Sequence, residues 1–481
     1  MNIAASILEI AVIVLGVVIM LADLWIPRDK KNWLGYASIA GLALILLGSL
    51  NMSGTPSELA FGNMYVLDSF AIFFKRFFLI AAILVIAASV EFSQKFQTGK
   101  GEYYCLMLFA LSGMMFAASA NHFALLFVSL ELITITFYIL TSFLRNQMVS
   151  LEAGVKYLIL GALSSAFLVY GIALVYGTTG AMHFDALKTA TASMTDNKLL
   201  LVGLLMVIAG LGFKVAAFPF QIWAPDVYQG SPSSTTAFLA VGSKAAGFAL
   251  LMRLLFMAVP DIALQWEKLL MVIAGITILY GNLCALPQRN LKRLLGYSSI
   301  ANAGYLMMGI AAMSQSGSSA ILYYLYGYMF TVIAAFMIII LVMKHTGAEE
   351  ITHLAKLHER APGLAGVMTL AMVSLAGIPP MAGFFGKFLL FKAVLEQAAV
   401  FSSYYALLGV AIIGVVISLY YYFGVIRTLY WGKQQMVPEE IHVSPLSRVT
   451  LWVCSIFMIY LGILPERLMQ AAVSAAESLK F

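Results

Sequence analysis

A chain of 481 residues that is 62% hydrophobic and only 10% charged, with a mean hydropathy of +0.94, falls outside the composition of water-soluble globular domains. Its formal charge of +6 asks for no nucleic-acid partner, because the placement of Lys and Arg between apolar runs accounts for it. No loop exceeds about 20 residues, so there is no soluble domain to which a function can be assigned.

Apolar runs of about 20 residues, the length that crosses the hydrocarbon core, occur fourteen times, at 3–22, 34–50, 69–90, 103–120, 122–144, 151–177, 199–219, 235–258, 268–286, 293–312, 319–343, 363–395, 403–426 and 449–470. The expected fold is an all-α polytopic membrane protein of about 14 transmembrane helices, since the hydrocarbon core forces backbone polar groups to be satisfied within helices. The first run, ILEIAVIVLGVVIMLADLW, has neither a basic n-region nor an Ala-x-Ala cleavage site and reads as a retained span. Of the 28 Lys and Arg residues, Lys156, Lys214, Lys244, Lys387 and Lys392 are set aside as span residues, and the other 23 are counted by the side of the membrane they are assigned to. Assigning loops alternately puts fifteen of the rest on one side and eight, including Lys75, Arg76 and Arg253, on the other. Positive charge favours the cytoplasmic side, so both termini are expected in the periplasm of a bacterium whose inner membrane the chain crosses.

Cys105, Cys284 and Cys454 are single, far apart and inside spans, and read as small packing residues. Five histidines fall in loops and His122 at a span end, with none forming the facing pair that haem requires. A glycine-rich nucleotide fingerprint is absent too. Flavin, iron–sulfur cluster, nucleotide and metal are therefore not expected on this chain, and any electron transfer belongs to partners.

Two segments interrupt the helical pattern alike. In GLGFKVAAFPFQIWAPDVYQGSPSS, Lys214 precedes Pro219, Pro225, Gly230 and Pro232; in LAGIPPMAGFFGKFLLFKAVL, Gly377, Pro379, Pro380, Gly383 and Gly386 precede Lys387. Proline removes a backbone hydrogen bond and crowds the preceding turn, so spans 7 and 12 are expected to be discontinuous. Broken helices at matching places suggest two inverted repeats of five spans. The expected division is 1–102 for three N-terminal spans, 103–258 for the first repeat (spans 4–8), 267–426 for the second (spans 9–13), and 427–481 for a loop and span 14.

Charge inside the spans points to function. A charged side chain at the bilayer centre costs roughly 2.5–3.5 kcal/mol, and Glu131, Lys156, Lys214, Lys244, Lys387 and Lys392 all lie in spans. Lys392 reads as snorkelling to the interface. Lys156 follows Glu152 by four residues, so it is either an interfacial ion pair or part of the buried set. Desolvation and an opposing carboxylate act on a buried lysine in opposite directions, and the carboxylate alone is worth about 4 kcal/mol at 4 Å and an effective dielectric of 20. A lysine that gains and loses contact with Glu131 would alternately hold and release a proton. Metal cations fit less well, because an ammonium cannot coordinate them.

The strings FVSLELITITFYIL, GFKVAAFPFQIWAPDVYQGSP, QRNLKRLLGYSSIANAGYLMMG and SLAGIPPMAGFFGKF resemble the antiporter-like subunit N family of the respiratory proton-pumping NADH:quinone oxidoreductase, complex I. The resemblance covers nearly the whole chain. WAPDVYQGSP and NLKRLLGYSSI separate subunit N from its L and M relatives, whose matching stretch reads more like W-L-P-D-A-H. It implies that Glu131 pairs with Lys214, that Lys244 bridges two half-channels, that Lys387 lies on the exit side and that Lys156 has a counterpart. One departure is Gln221, where many N subunits carry histidine. The resemblance further implies proton translocation coupled to quinone reduction. Partners would be the antiporter-like M and small membrane subunits, with NAD, flavin, iron–sulfur clusters and quinone held by partner subunits. A multisubunit Na⁺/H⁺ antiporter subunit, or a related ferredoxin- or deazaflavin-dependent complex, is the alternative.

Overall fold

The computed structural model describes residues 2–52, 57–93, 96, 99–347, 349–399, 401–433 and 441–479. The chain opens with α1 (Ile7–Trp25) and α2 (Asn32–Leu50), a short antiparallel hairpin of β1 (Glu58–Ala60) and β2 (Tyr65–Leu67), and α3 (Ser69–Phe92). Then come α4 (Lys100–Ala118), α5 (Phe123–Thr141), α6 (Met148–Thr179), the short α7 (Phe184–Thr191), α8 (Lys198–Val215) and α9 (Trp223–Gly230). A continuous helical run over Ser233–Ala258 contains α10 (Ser233–Phe238) and α11 (Lys244–Met252), with π-helical turns at Leu239–Ser243 and Arg253–Ala258. After α12 (Pro260–Gln265) follow α13 (Glu267–Ala285), α14 (Leu291–Ala311), α15 (Gln315–Thr346) and a single turn, α16 (Leu357–Arg360). The chain closes with α17 (Pro362–Ala376), α18 (Ala382–Ala398), α19 (Ser403–Trp431), α20 (Pro445–Ile463) and α21 (Glu466–Glu477).

This is an all-α polytopic membrane protein. Among the described residues, twelve helices are long and apolar enough to cross a bilayer. The other two expected spans fall on α14, whose basic first turn and Ser298, Ser299 and Asn302 lower its hydropathy, and on the pair α17 and α18. The expected break in span 7 follows Val215, where Ala216 takes a left-handed φ of 58°. That in span 12 follows Ala376, where Gly377 has φ 82°.

Two expectations need correction. Lys75, Arg76 and Arg253, counted with the loops, lie inside the helical runs Ser69–Phe92 and Ser233–Ala258, because the apolar runs 69–90 and 235–258 extend past them on both sides. Span 449–470 divides at Leu464–Pro465 into α20 and the amphipathic α21, because Pro465 cannot donate to the helix before it. Of the charges used for topology, Lys95 and Lys480 lie outside the described residues.

The run Ser233–Ala258 and α15 form the interior of the bundle, surrounded by helices with apolar outer faces. Lipid tails are as apolar as Leu, so helices associate here through close packing at small residues. At the α13–α14 crossing, a Cβ added to Gly281 would stand 2.4 Å from the Ala301 backbone nitrogen, a separation only glycine permits.

Candidate functional site

The His122 imidazole caps α5, its Nδ1 accepting from the Ala124 amide at 2.9 Å. Two turns further on, Glu131 and Thr134 stand three residues apart on neighbouring positions of one face. The Ser165 hydroxyl on α6 donates to the Glu131 carboxylate. Lys214 occupies the last turn of α8, 4% exposed, and its ammonium donates to the Thr134 hydroxyl. The rings of Tyr157 and Phe213 lie 5.8 and 5.9 Å from its Nζ. A cation in the last turn faces the negative end of the helix. Among the described residues Glu131 and Lys214 form no direct ion pair; Thr134 bridges the lysine to the carboxylate's helix. In the break after α8, Gln221 is buried and its amide oxygen has no partner among the described residues.

Lys244 directly follows the first π turn and is 3% exposed. Its Nζ donates to the Ser299 carbonyl at 2.7 Å and the Ser299 hydroxyl at 2.5 Å, and that hydroxyl also meets Tyr228 at 3.0 Å. Gly247, one turn on, lets α11 approach α8 so closely that an added Cβ would stand 3.2 Å from the Lys214 Cβ. From Ser299 a polar stripe continues along α14 through Ser298, Asn302 and Tyr305. Ser298 pairs with the Tyr422 hydroxyl at 2.5 Å, and Tyr324 donates to Asn302 at 2.7 Å. The Tyr305 ring lies 5.1 Å from the ammonium of Lys387. Lys387, 4% exposed on α18, donates at 2.7 Å to the carbonyl of Leu375 at the end of α17. The break frees that carbonyl from helical pairing. Lys214, Lys244 and Lys387 thus each donate to neutral oxygen.

Lys156 stands apart from this row. It is 42% exposed and bridges Glu152 at 2.8 Å and Asp226 at 2.7 Å. Asp226 also accepts from Arg293 at 2.5 Å. Burial pushes the Asp226 carboxyl up, but hydrogen bonds from Lys156 and Arg293 outweigh it and hold the group below its usual range. Asp226 lies in WAPDVYQG on α9 and Arg293 in LKRLLGYSSI on α14. The two most specific strings of the sequence are therefore held face to face by this ion pair, by Tyr228 on Ser299, and by Lys292 donating to the Ser231 carbonyl at 2.7 Å. Reading the strings separately gave no sign of this.

Further charged groups escaped the sequence reading. Glu9 and Lys75, both wholly buried, pair at 2.9 Å, and Tyr65 hydrogen-bonds both. Arg253 grips Asp68 through two bonds of 2.8 and 3.1 Å. Charge in an apolar run was the available signal; its partner lay on a distant helix. The histidines also differ from expectation: His122 and His183 meet edge to face with ring centroids 4.4 Å apart. Among the described residues no group of three or more His, Cys, Asp or Glu side chains is placed to hold a metal ion.

Comparison with known proteins gives a consistent family. A family model for the transmembrane part of NADH:quinone oxidoreductase and Mrp antiporter subunits matches residues 120–417. The chain is 41% identical over 480 residues to NADH-quinone oxidoreductase subunit N of Desulforamulus reducens, covering 99% of this chain and 98% of that one. A chain from the structure of respiratory complex I of Thermus thermophilus has TM-score 0.80 and 31% identity, covering 97% of this chain and 100% of that one. A chain of the Mrp complex from Dietzia sp. DQ12-45-1b has TM-score 0.85 at 20% identity over 98% of each chain, a likeness of fold alone.

Proposed function

The chain belongs to the subunit N family of NADH:quinone oxidoreductases, and on that premise we propose that Glu131, Lys214, Lys244 and Lys387 form the proton-transfer row of a membrane-arm subunit. Electron transfer from NADH to quinone takes place on partner subunits, which hold the NAD, flavin, iron–sulfur clusters and quinone; this chain holds no redox group. It sits among the other membrane subunits of complex I and moves protons through the bilayer.

One observation carries the reading. Three buried lysines in an apolar bundle have no carboxylate partner among the described residues, and the polar stripe of α14 runs between two of them, from Lys244 to Lys387. At roughly 2.5–3.5 kcal/mol for each such charge, no stabilising role accounts for them. Motion that brings Glu131 to Lys214 in place of Thr134 favours the charged lysine, and its withdrawal releases the proton toward Lys244. Ser299, Ser298, Asn302 and Tyr305 supply hydroxyl and amide groups from Lys244 to Lys387. Lys156 belongs to the Asp226–Arg293 network at the mouth of the row, where it ties α6 to α9 while Arg293 ties α9 to α14.

On this reading α4 to α11 and α13 to α19 are two inverted five-span repeats, each broken in its fourth span, and the whole chain makes fourteen crossings of a bacterial inner membrane with both termini periplasmic. Antiporter and ferredoxin- or deazaflavin-linked relatives would share the lysine row; the 41% identity over the full chain favours the quinone reductase.

The test is NADH-driven proton uptake and quinone reduction in membranes carrying Lys214→Ala, with assembly followed by native electrophoresis and Lys392→Ala as control. The expected result is an assembled complex whose pumping and turnover fall at least about tenfold, the scale of 1.4 kcal/mol on a barrier, while the control keeps its activity. Normal pumping in the Lys214 variant refutes the row.

A further inference from the structure

Between α17 and α20 runs a groove of about 630 Å³. Its polar end carries Arg360 just before α17 and Arg448 in the first turn of α20. Arg360 is fixed by bonds from Nη2 to the carbonyls of His353 at 2.9 Å and Ala355 at 3.3 Å. Neither arginine has a carboxylate partner among the described residues. The other end is apolar, lined by Leu370 on α17 and Ile456 on α20. Arg448 and Ile456 are eight residues apart, so the groove descends about 12 Å along the helices at 1.5 Å per residue.

The floor is made by the absence of side chains. Gly363 and Gly366 line the groove one turn apart, and a Cβ added to either meets nothing within 4 Å. They differ from the packing glycines of this chain: a Cβ at Gly383 would lie 1.9 Å from the Ser374 carbonyl oxygen. Trp452, 64% exposed on the groove wall, has the amphipathic ring that settles at headgroup level. The polar end belongs to the side that carries more Lys and Arg, where anionic lipid headgroups gather.

We propose that this groove holds one anionic diacyl phospholipid of the bilayer, its phosphate between Arg360 and Arg448 and an acyl chain on the floor left open by Gly363 and Gly366. Two guanidinium groups suit a phosphate, which accepts their paired N–H donors. A narrow floor without side chains suits a chain of methylenes. The inference rests on the chain's lying in a bilayer and not on the proton row.

The experiment uses the assembled complex in phosphatidylcholine nanodiscs doped with phosphatidylglycerol that bears a photoreactive group on one acyl chain. Labelled peptides are mapped by mass spectrometry, with photoreactive phosphatidylcholine as the comparison. The expected result is label on α17 and α20 from phosphatidylglycerol, reduced about fivefold, close to 1 kcal/mol in affinity, by R360Q/R448Q and again by G366L. Arg448 is exposed and the Gly366 site is open, so R448Q alone and G366L keep the fold. Equal labelling by the two lipids, or labelling that both variants leave unchanged, overturns the proposal. So does a wild-type groove without label, in which a neighbouring subunit occupies the place. K214A complexes should label normally, which separates this test from that of the proton row.

Discussion

At the level of single residues, the buried lysines divide by what they face. Lys214, Lys244 and Lys387 donate to neutral oxygen, whereas Lys75 meets the Glu9 carboxylate at 2.9 Å in a wholly buried pair. Removing one member of such a pair strands the other charge and costs about 3–5 kcal/mol, while replacing both with apolar groups is often neutral. Glu9→Gln and Lys75→Met are therefore expected to deplete the assembled complex on native gels, and Glu9→Leu with Lys75→Met to recover most of it; a double variant as poor as the singles refutes a purely structural pair. His122 permits a prediction about pH. It caps α5 from outside the span, and burial, followed by the neighbouring His183, holds its imidazole below the ordinary value near 6.5. A depressed folded value means the stabilisation is complete above about 6.5 and is lost as pH falls through the folded value. Protonation also takes the Nδ1 acceptor from the Ala124 amide. The protection factor of amides in the first turn of α5, exchange relative to the intrinsic rate at each pH, should fall on acidification and lose that dependence in His122→Asn, where the amide oxygen still caps; an identical pH profile in both proteins excludes His122 as the source. The row lysines were legible in sequence because a charge in an apolar run stands out. Lys75 lies in such a run too but was counted with the loops, and only three dimensions place Glu9 beside it.

Among the elements, breaks were legible and distortions were not. Pro219, Pro379, Pro380 and Gly377 announce discontinuities in the third dimension from local chemistry, and helices stop where those residues require it. The π turns flanking α11 contain no proline, and Gly242 in the first has ordinary negative φ, so nothing local announces them in the centre of the bundle. Pro465 was readable, yet the apolar run passes straight through it and hides the change from α20 to α21. The second break can be tested through its packing. Gly383 stands in the first turn of α18, and an added Cβ would overlap the Ser374 carbonyl oxygen at 1.9 Å. Lys387 follows by four residues on the same face, so relief of the overlap draws its ammonium away from the Leu375 carbonyl. Overpacking of this kind typically costs about 1–3 kcal/mol and occasionally more. Gly383→Ala should lower thermal stability and pumping together, and Gly409→Ala, with open space at its Cβ, should change neither. Equal effects from the two substitutions contradict the account of α17–α18 packing.

For the whole molecule, topology ties the row to a direction. The bias of basic loops predicted both termini outside, but some of the counted charges are not loop charges: Lys75 and Arg253 are wholly buried and ion-paired, Arg76 lies in α3, and on the other side Lys292 is buried against Glu349. Setting these four aside strengthens the bias, because three of them come from the smaller group. The orientation then has a direct measurement. Ser193, after α7, and Thr352, before α16, are both exposed and fall in loops assigned to opposite sides. The native thiols give little background, since Cys105 and Cys454 are buried and Cys284 is half-buried. Ser193→Cys should react with a membrane-impermeant maleimide in right-side-out vesicles, and Thr352→Cys only in inverted ones. The reversed pattern would turn the molecule over. Lys387 would then lie toward proton entry instead of exit, and Arg360 and Arg448 would face the periplasmic leaflet, where fewer anionic headgroups could reach them. Fold, helix breaks and buried lysines would stay as they are, so this labelling isolates direction from mechanism: in the proposed mechanism the row sets where a proton can rest, and only the sidedness of the bundle sets where it goes.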